Sequence, residues 1–358
     1  MKKPKLFIPG PTHVDDAVLE AMASYPIGHR ASSFSALYDE IVAGVQKVLF
    51  TKNRIFLGTC SATGLMEAAV KNTVRKRCAN FVCGAFSKRW HEITKSSGIE
   101  CDKIEVPLGH ATTPDLVRKV LDAGKYDTVT VVHNETSTGV MNPIYDIAEV
   151  MREYPDIVFL VDMVSSMASI KVEIDKLGID VAIASVQKGW ALPPGFSVCS
   201  VSEKVMDRSK EMKHKGYYFD FLVMEKYAQK SQTHSTPSIP HMFGLKTQLG
   251  RIFTEGLNNR FNRHKELANM VRSWGKNHFS LFAQKGYRSD TVTCMNNLPG
   301  FSLAELITRL FDKGFHISGG YGPLKDKTFR IAHMGDIQKS DIEELLSVIN
   351  ETMKEMNS

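Results

Sequence analysis

Short apolar runs alternate with longer stretches of mixed apolar and polar residues over the first two-thirds of the chain. RIFLGT (Arg54 to Thr59) is followed by SATGLMEAAVKNTV, and NFVCG (Asn80 to Gly84) by SKRWHEITKSS. KIEVP is followed by DLVRKVLDAG, and TVTVVH by IYDIAEVMREY. IVFLVD (Ile157 to Asp162), DVAIAS (Asp180 to Ser185) and FSVCSVS continue the series. The apolar runs are short and rich in Val and Ile, which fits buried strands better than buried helices. Strands of this kind between amphipathic helices predict a mainly parallel sheet covered on both faces, an α/β architecture.

The texture changes near Ile239. Ile239 to Glu255 predicts a helix, and Leu257 to about His278 a long charged one. The remainder predicts an α+β unit: TVTCM, a helix over Leu303 to Lys313, FHIS, TFRIAH, and a last helix from Ser340 to about Met356. The expected division is an N-terminal arm and large domain over 1–254, then a small C-terminal domain over 255–358. No repeat, low-complexity tract or Gly/Ser-rich linker lies between them, so the two are expected to pack together.

Composition narrows the function. At 358 residues there is room for one large domain and a smaller one, each with a core. Hydrophobic residues at 43% and charged residues at 23% describe an ordered globular chain. The net charge of +6 is spread along the sequence, and its densest stretch, Lys71 to Arg77, has no interleaved aromatics. That pattern is a solvated helix face and not a nucleic-acid site. Cys60, Cys78, Cys83, Cys101, Cys199 and Cys294 form no CxxC pair and no Cys/His cluster at zinc spacing. No metal site is expected, and reduced thiols fit a cytoplasmic protein. Lys5 and Pro9 bracket only three apolar residues, too few for a signal peptide, and no run is long enough to span a membrane.

The chemistry gathers at strand ends, where open α/β sheets bind ligands. RIFLGT leads into Cys60-Ser61-Ala62-Thr63-Gly64 and then a helix, whose first amides suit an anion such as a phosphate. An ordinary capped turn has the same composition. TVTVVH leads into a loop with Thr136; IVFLV ends on Asp162, with Val164 behind it; DVAIAS leads into Gln187 and Lys188. Thr136 to Asp162 is 26 residues, and Asp162 to Lys188 is again 26, one helix-plus-strand unit each. Singly, each residue reads as a strand-end cap or a surface lysine. Jointly, a hydroxyl, an acid and a lysine after successive strands make a candidate site.

HNETSTGV, VDMVSS and SVQKGWALPPG resemble the signature blocks of fold-type I, class V aminotransferases, which depend on pyridoxal phosphate. FIPGPT, GTCSATGLMEAA, GAFSKRW and GGYGPLKDKTFRIAH also match in order, so the resemblance spans essentially the whole chain. It implies a soluble transaminase with a ping-pong mechanism. The amino group of serine, phosphoserine or alanine would pass to pyruvate, glyoxylate or 2-oxoglutarate. Lys188 would hold the cofactor as a Schiff base and carry the substrate proton. Asp162, with Val164 beside it, would pair with the pyridine nitrogen, Phe86 would stack on the ring, and Thr136 would reach the phenolic oxygen. Ser61, Ala62, Thr63 and Gln187 would hold the phosphate. A neighbouring subunit would add Thr233 or Thr236 from QTHSTPS, so a homodimer is implied; Thr233 stands where many relatives carry tyrosine. Arg330 would fork onto the substrate α-carboxylate, and Gly10 in the PGPT turn would close over it. His29 and Arg30 resemble a pair that binds the substrate phosphate in phosphoserine aminotransferases, although serine–glyoxylate relatives can carry it too. The second basic pair expected near Arg330 is missing, with His333 the only nearby candidate.

Two other readings share these blocks. A cysteine desulfurase would place His before the lysine and a cysteine on a late loop; here Gln187 precedes Lys188, and Cys294 sits in a predicted strand. A non-catalytic, cofactor-binding partner subunit, as hydrogenase-associated members of the family suggest, would not need Lys188, Asp162 and Arg330 together.

Overall fold

The computed structural model describes residues 4–357; residues 1–3 and 358, the extreme ends of the two expected domains, lie outside the described residues. Seven strands form the main sheet: β1 (Arg54–Gly58), β2 (Cys78–Val82), β3 (Cys101–Glu105), β4 (Thr128–Val132), β5 (Val158–Asp162), β6 (Val181–Ser185) and β7 (Ser197–Val201). Their spatial order is β1-β7-β6-β5-β4-β2-β3. Only β7 runs antiparallel to its neighbours. The sheet is therefore mainly parallel, as the pattern of apolar runs predicts.

Alternation within the strands explains the layers. Ile55, Leu57, Phe159, Val161, Ala182 and Ala184 join one core. Phe56, Val158, Leu160, Val181 and Ile183 join the other. Helices α1 (Ser32–Leu49) and α4 (Ile239–Glu255) cover the first face, and α2 (Ala62–Thr73) and α3 (Ala85–Ser96) cover the second. A third core forms between α5 (Leu257–His278), α6 (Leu303–Asp312), α7 (Lys339–Asn357) and a small antiparallel sheet. That sheet has the order β8-β9-β11-β10, from Ser280–Leu281, Val292–Asn296, Ser318–Gly319 and Thr328–Ala332.

Two features depart from the sequence pattern. FHIS is not one strand: Phe315–His316 pairs with Lys5–Leu6 of the N-terminal arm, whereas Ser318–Gly319 pairs with β11. Helix α1 was not anticipated, although Phe34, Leu37, Tyr38, Ile41, Val45 and Val48 carry helical spacing and are all buried. Because β1, β2, β4, β5 and β6 run the same way, their carboxyl ends lie along one edge of the sheet.

Candidate active site

The loops leaving that edge enclose a cavity of about 300 Å³. Its walls include Ser61, Ala62 and Thr63 after β1, Phe86 and Arg89 on α3, and Asn134 and Thr136 after β4. Asp162 and Val164 enter from β5, Gln187 and Lys188 from the loop after β6, and Pro9 and Gly10 from the N-terminal arm. The two intervals of 26 residues thus bring Thr136, Asp162 and Lys188 into one space.

Lys188 is buried and its Nζ donates to Thr136 Oγ1 at 3.4 Å. It also lies 5.0 Å from the Phe86 ring centroid. Burial pushes its ammonium down to about 8, against the pull of Asp162 and Glu135 and helped by Arg330 and Arg89. Asp162 is 3% exposed, and burial pushes its carboxyl up to about 6. The Val164 amide, donating to Asp162 Oδ1 at 2.7 Å, and the charge of Lys188 act the other way.

The N-terminal arm is strapped across the lysine loop. Thr12 N donates to Gln187 O at 3.0 Å, and Thr12 Oγ1 donates to Lys188 O at 3.1 Å. Gly10, at φ +95°, passes so close that a Cβ would lie 3.0 Å from Lys188 Cγ. Only glycine combines that left-handed backbone with that clearance. Gln187 Oε1 and Asn134 Oδ1 are buried, with no hydrogen-bond partner among the described residues.

Arg330 lies on β11, one layer out from the cavity. Its Nη1 donates to Thr136 O at 3.3 Å, and its Nε and Nη2 donate to Gly319 O at 3.1 and 2.9 Å. His29, Arg30, Thr233 and Thr236 are not among the cavity residues. Arg30 Nη1 donates to Thr233 O at 2.7 Å and to Gln232 Oε1 at 3.2 Å, and its guanidinium covers the Tyr227 ring. Thr233 turns its hydroxyl to Ser235 O at 2.7 Å, and Thr236 is exposed. One chain thus gathers most of the expected residues in a cavity around Lys188, with Arg330 bonded to its Thr136 wall, and ties Arg30 to Thr233 away from it.

Comparison with known proteins decides the family. The sequence model described as "Aminotransferase class-V" matches residues 6–321. The chain belongs to the class V aminotransferases. An uncharacterized aminotransferase of Methanocaldococcus jannaschii is 38% identical, over 99% of this chain and 94% of that protein. The soluble hydrogenase small subunit of a Synechococcus species is 34% identical, over 99% and 94%. Serine–glyoxylate aminotransferase of Methylorubrum extorquens is 31% identical, over 93% and 87%. The crystal structure of alanine–glyoxylate aminotransferase from a Nostoc species superposes with a TM-score of 0.94 at 27% identity, covering 99% of this chain and 96% of that one.

In this aminotransferase, several residues around the site escaped the reading of the sequence. Glu135 is fully buried and accepts from the amides of Phe86, Ser87 and Ser137 and from the hydroxyls of Ser87 and Ser137. It thereby caps α3 and fixes the start of the helix that carries Phe86. Gly84 is required beside it, since a Cβ there would lie 2.4 Å from Glu135 Cγ. HNETSTGV shows a carboxylate just after the apolar run TVTVV, but nothing in it points to the start of α3. Tyr321 stacks on Phe86 with ring centroids 5.6 Å apart. Expectation and structure part at His333, which is buried, bonded to Thr293 Oγ1 at 3.0 Å, and pushed by burial down to about 3. It is a neutral core residue and supplies no second cation. Cys294 lies in β9 at 2% exposure, and burial pushes its thiol up to about 11, which does not suit a desulfurase nucleophile. Among the described residues there is no cluster of acids, histidines and cysteines suited to a metal, and no helix long and apolar enough to cross a membrane.

Proposed function

We propose that this aminotransferase uses pyridoxal phosphate on Lys188 to move the amino group of serine, phosphoserine or alanine to pyruvate, glyoxylate or 2-oxoglutarate, by a ping-pong mechanism. The observation that carries the proposal is the convergence of Lys188, Asp162, Phe86, Thr136 and the first turn of α2 on one enclosed cavity. The residues fit the group. A buried acid suits a protonated ring nitrogen, an aromatic suits a flat ring, and helix amides suit a phosphate. The buried Gln187 amide oxygen has no partner among the described residues, which supports a polar group of the cofactor beside it.

When bound, the cofactor supplies an electron sink for the carbanion left by loss of the α-proton. Lys188 anchors it and, as a neutral amine, takes that proton at Nζ and returns it. Asp162 stays charged against its burial because a cationic partner favours the carboxylate. Phe86 would lie against the ring and Thr136 would reach its phenolic oxygen, while the Val164 amide holds Asp162 in place. Ser61, Ala62, Thr63 and Gln187 hold the phosphate. Arg330 takes the substrate α-carboxylate with donors left over from its three carbonyl contacts, and the Gly10 backbone covers the opposite side.

We further propose a homodimer in which Thr233 and Thr236 of the partner subunit reach the phosphate and His29 and Arg30 serve the neighbouring mouth. Apart from Phe7 of the N-terminal arm, which packs into the core of the small sheet, the two cores lie on either side of residue 254, which supports dividing the chain there. Six free cysteines suit the cytoplasm.

Borohydride reduction of the holoprotein followed by peptide mapping tests the anchor. A pyridoxyl label on Lys188, lost with all steady-state transamination in a folded Lys188→Ala variant, is expected. A label on Lys171 or Lys204 would sink it. The 34% identical hydrogenase subunit keeps a second reading open, a cofactor-binding partner protein. It predicts a bound-cofactor spectrum that no amino donor shifts.

A further inference from the structure

The loop that carries Lys188 runs from the end of β6 to the start of β7. Near Lys188 it is held by Thr12, whose amide and hydroxyl donate to the carbonyls of Gln187 and Lys188. Its far end is Pro193-Pro194-Gly195-Phe196. The two prolines have no amide hydrogen, so only their carbonyls can be gripped. His241, in the first turn of α4, grips both: its Nε2 lies 3.2 Å from Pro193 O and 3.2 Å from Pro194 O. Its ring also stacks on Phe196, with centroids 5.6 Å apart and planes 10° apart. Carbonyls only accept, so Nε2 carries a proton, and in the neutral ring Nδ1 is the acceptor. There it takes the hydroxyl of Ser238, 2.7 Å away.

Ser238 stands at the N-cap of α4 without doing what a serine there ordinarily does. A capping serine turns its oxygen to the amide two or three residues on. Here the residue two on is Pro240, which has no amide hydrogen, and no side-chain cap bond forms. The hydroxyl goes to His241 instead, and the Ser238 amide donates to Thr59 Oγ1 at 3.1 Å. Thr59 immediately precedes the turn from Cys60 to Thr63. Ser238 is therefore joined to the phosphate turn through its own backbone and to the lysine loop through His241. The two loops also meet at their roots, where Ala62 N donates to Ser185 Oγ at 2.5 Å. A helix start that forgoes its own cap to join two loops of one cavity breaks a local rule in favour of the site.

We propose that Ser238 and His241 are a positioning pair for the cofactor cavity, setting the far end of the lysine loop against the phosphate turn. His241 grips the loop, and Ser238 turns the ring so that its protonated nitrogen faces the carbonyls. Neither residue lines the cavity, so both act through the loops. The pair rests on the roles given above to Lys188 and to Ser61, Ala62 and Thr63, and supplies what holds these two groups at a fixed separation. The cofactor is the ligand that bridges the two loops. Loss of the pair therefore loosens pyridoxal phosphate more than it slows an enzyme saturated with it.

The test measures the dissociation constant and release rate of pyridoxal phosphate, by absorbance, in the wild-type protein, His241→Phe, His241→Gln, Ser238→Ala and the double variant Ser238→Ala/His241→Phe. Phenylalanine keeps the stack on Phe196 and loses both nitrogens, so His241→Phe should bind the cofactor roughly 5- to 30-fold more weakly. Its kcat at saturating cofactor should fall by less than that. Glutamine returns one donor and should recover part of the affinity. Ser238→Ala should weaken binding too, and adding it to His241→Phe should change nothing more, because the pair acts as one unit. Ser238→Ala, the mildest change, carries the test by itself should His241→Phe not fold. Denaturant unfolding of each apoprotein separates a positioning role from a general loss of fold. Lower stability with unchanged cofactor affinity, or additive losses in the double variant, would overturn the pair. A wild-type protein that takes up no pyridoxal phosphate removes the reading of Lys188 as well, whereas normal uptake with indifferent variants removes the pair alone.

Discussion

At the scale of single residues the site is a set of ionisable groups moved away from their ordinary values by burial. Lys188 at about 8 is the most consequential, because only its neutral amine can attack a carbonyl. Below that value the ammonium predominates; above it the free amine does. The covalent uptake of pyridoxal phosphate by the apoprotein should therefore speed up as pH rises and level off above an apparent midpoint near 8. Stopped-flow absorbance between pH 6 and pH 10 checks this (about two units either side of the midpoint). A midpoint near the ordinary lysine value would mean that Lys188 is not desolvated before the cofactor arrives. Lys188, Asp162 and Thr136 were legible in the sequence because each follows a recognisable strand at a repeated interval. Glu135 was not, because its importance comes from what packs on it. Nothing local in the sequence says that Glu135 meets the start of α3 across 48 to 49 residues. His333 failed for the converse reason: its place beside Arg330 in the sequence points it into the core, where burial keeps it neutral.

At the scale of elements, α5 does more than cover the small sheet. Arg260, in its first turn, is 1% exposed. Its Nε donates to Ala168 O at 2.8 Å, in the loop after β5, and its Nη2 donates to Gly189 O at 2.8 Å, beside Lys188. Its Nη1 meets Glu255 and Asp336, both at 3.0 Å. One guanidinium thus ties the two loops that bear Asp162 and Lys188 to the segment following β11. Truncating a buried, paired charge leaves its carboxylates and carbonyls uncompensated, so Arg260→Gln should cost on the order of 3–5 kcal/mol. Denaturant unfolding of the apoprotein measures it, with Arg272→Gln as a comparison at a more exposed pair. A loss below about 1 kcal/mol, typical of a surface pair, would mean that the loops are held by other contacts. The pattern of apolar runs identified α5 as a long charged helix, yet it left Arg260 among many surface charges. Strand order and the burial of one arginine are properties of the assembled fold, and periodicity does not carry them.

At the scale of the whole molecule, the separation of Arg30 from Lys188 within one chain is the informative fact. Arg30 is exposed and tied to the backbone of Thr233, so its loop and that of Thr233 are joined in one unit. If that unit completes the neighbouring site in a twofold dimer, each site draws Lys188 from one subunit and Arg30 from the other. Two inactive variants should then repair each other. Lys188→Ala has no anchor but an intact Arg30; Arg30→Ala has an intact anchor but, for phosphoserine, an incomplete site served by its partner. In a mixed dimer one site combines the good lysine with the good arginine. Unfolding and refolding an equal mixture should restore phosphoserine turnover to roughly one quarter of the wild-type value, by random pairing of subunits. The separately refolded variants, mixed afterwards, should show no such recovery. Alanine serves as the internal control, because it has no phosphate for Arg30 to bind. Its turnover should follow the dose of intact Lys188 and not the pairing. Absence of recovery with phosphoserine, while alanine turnover tracks Lys188, would place Arg30 outside the neighbouring site. Equal recovery with both donors would make it a structural contact of the dimer instead.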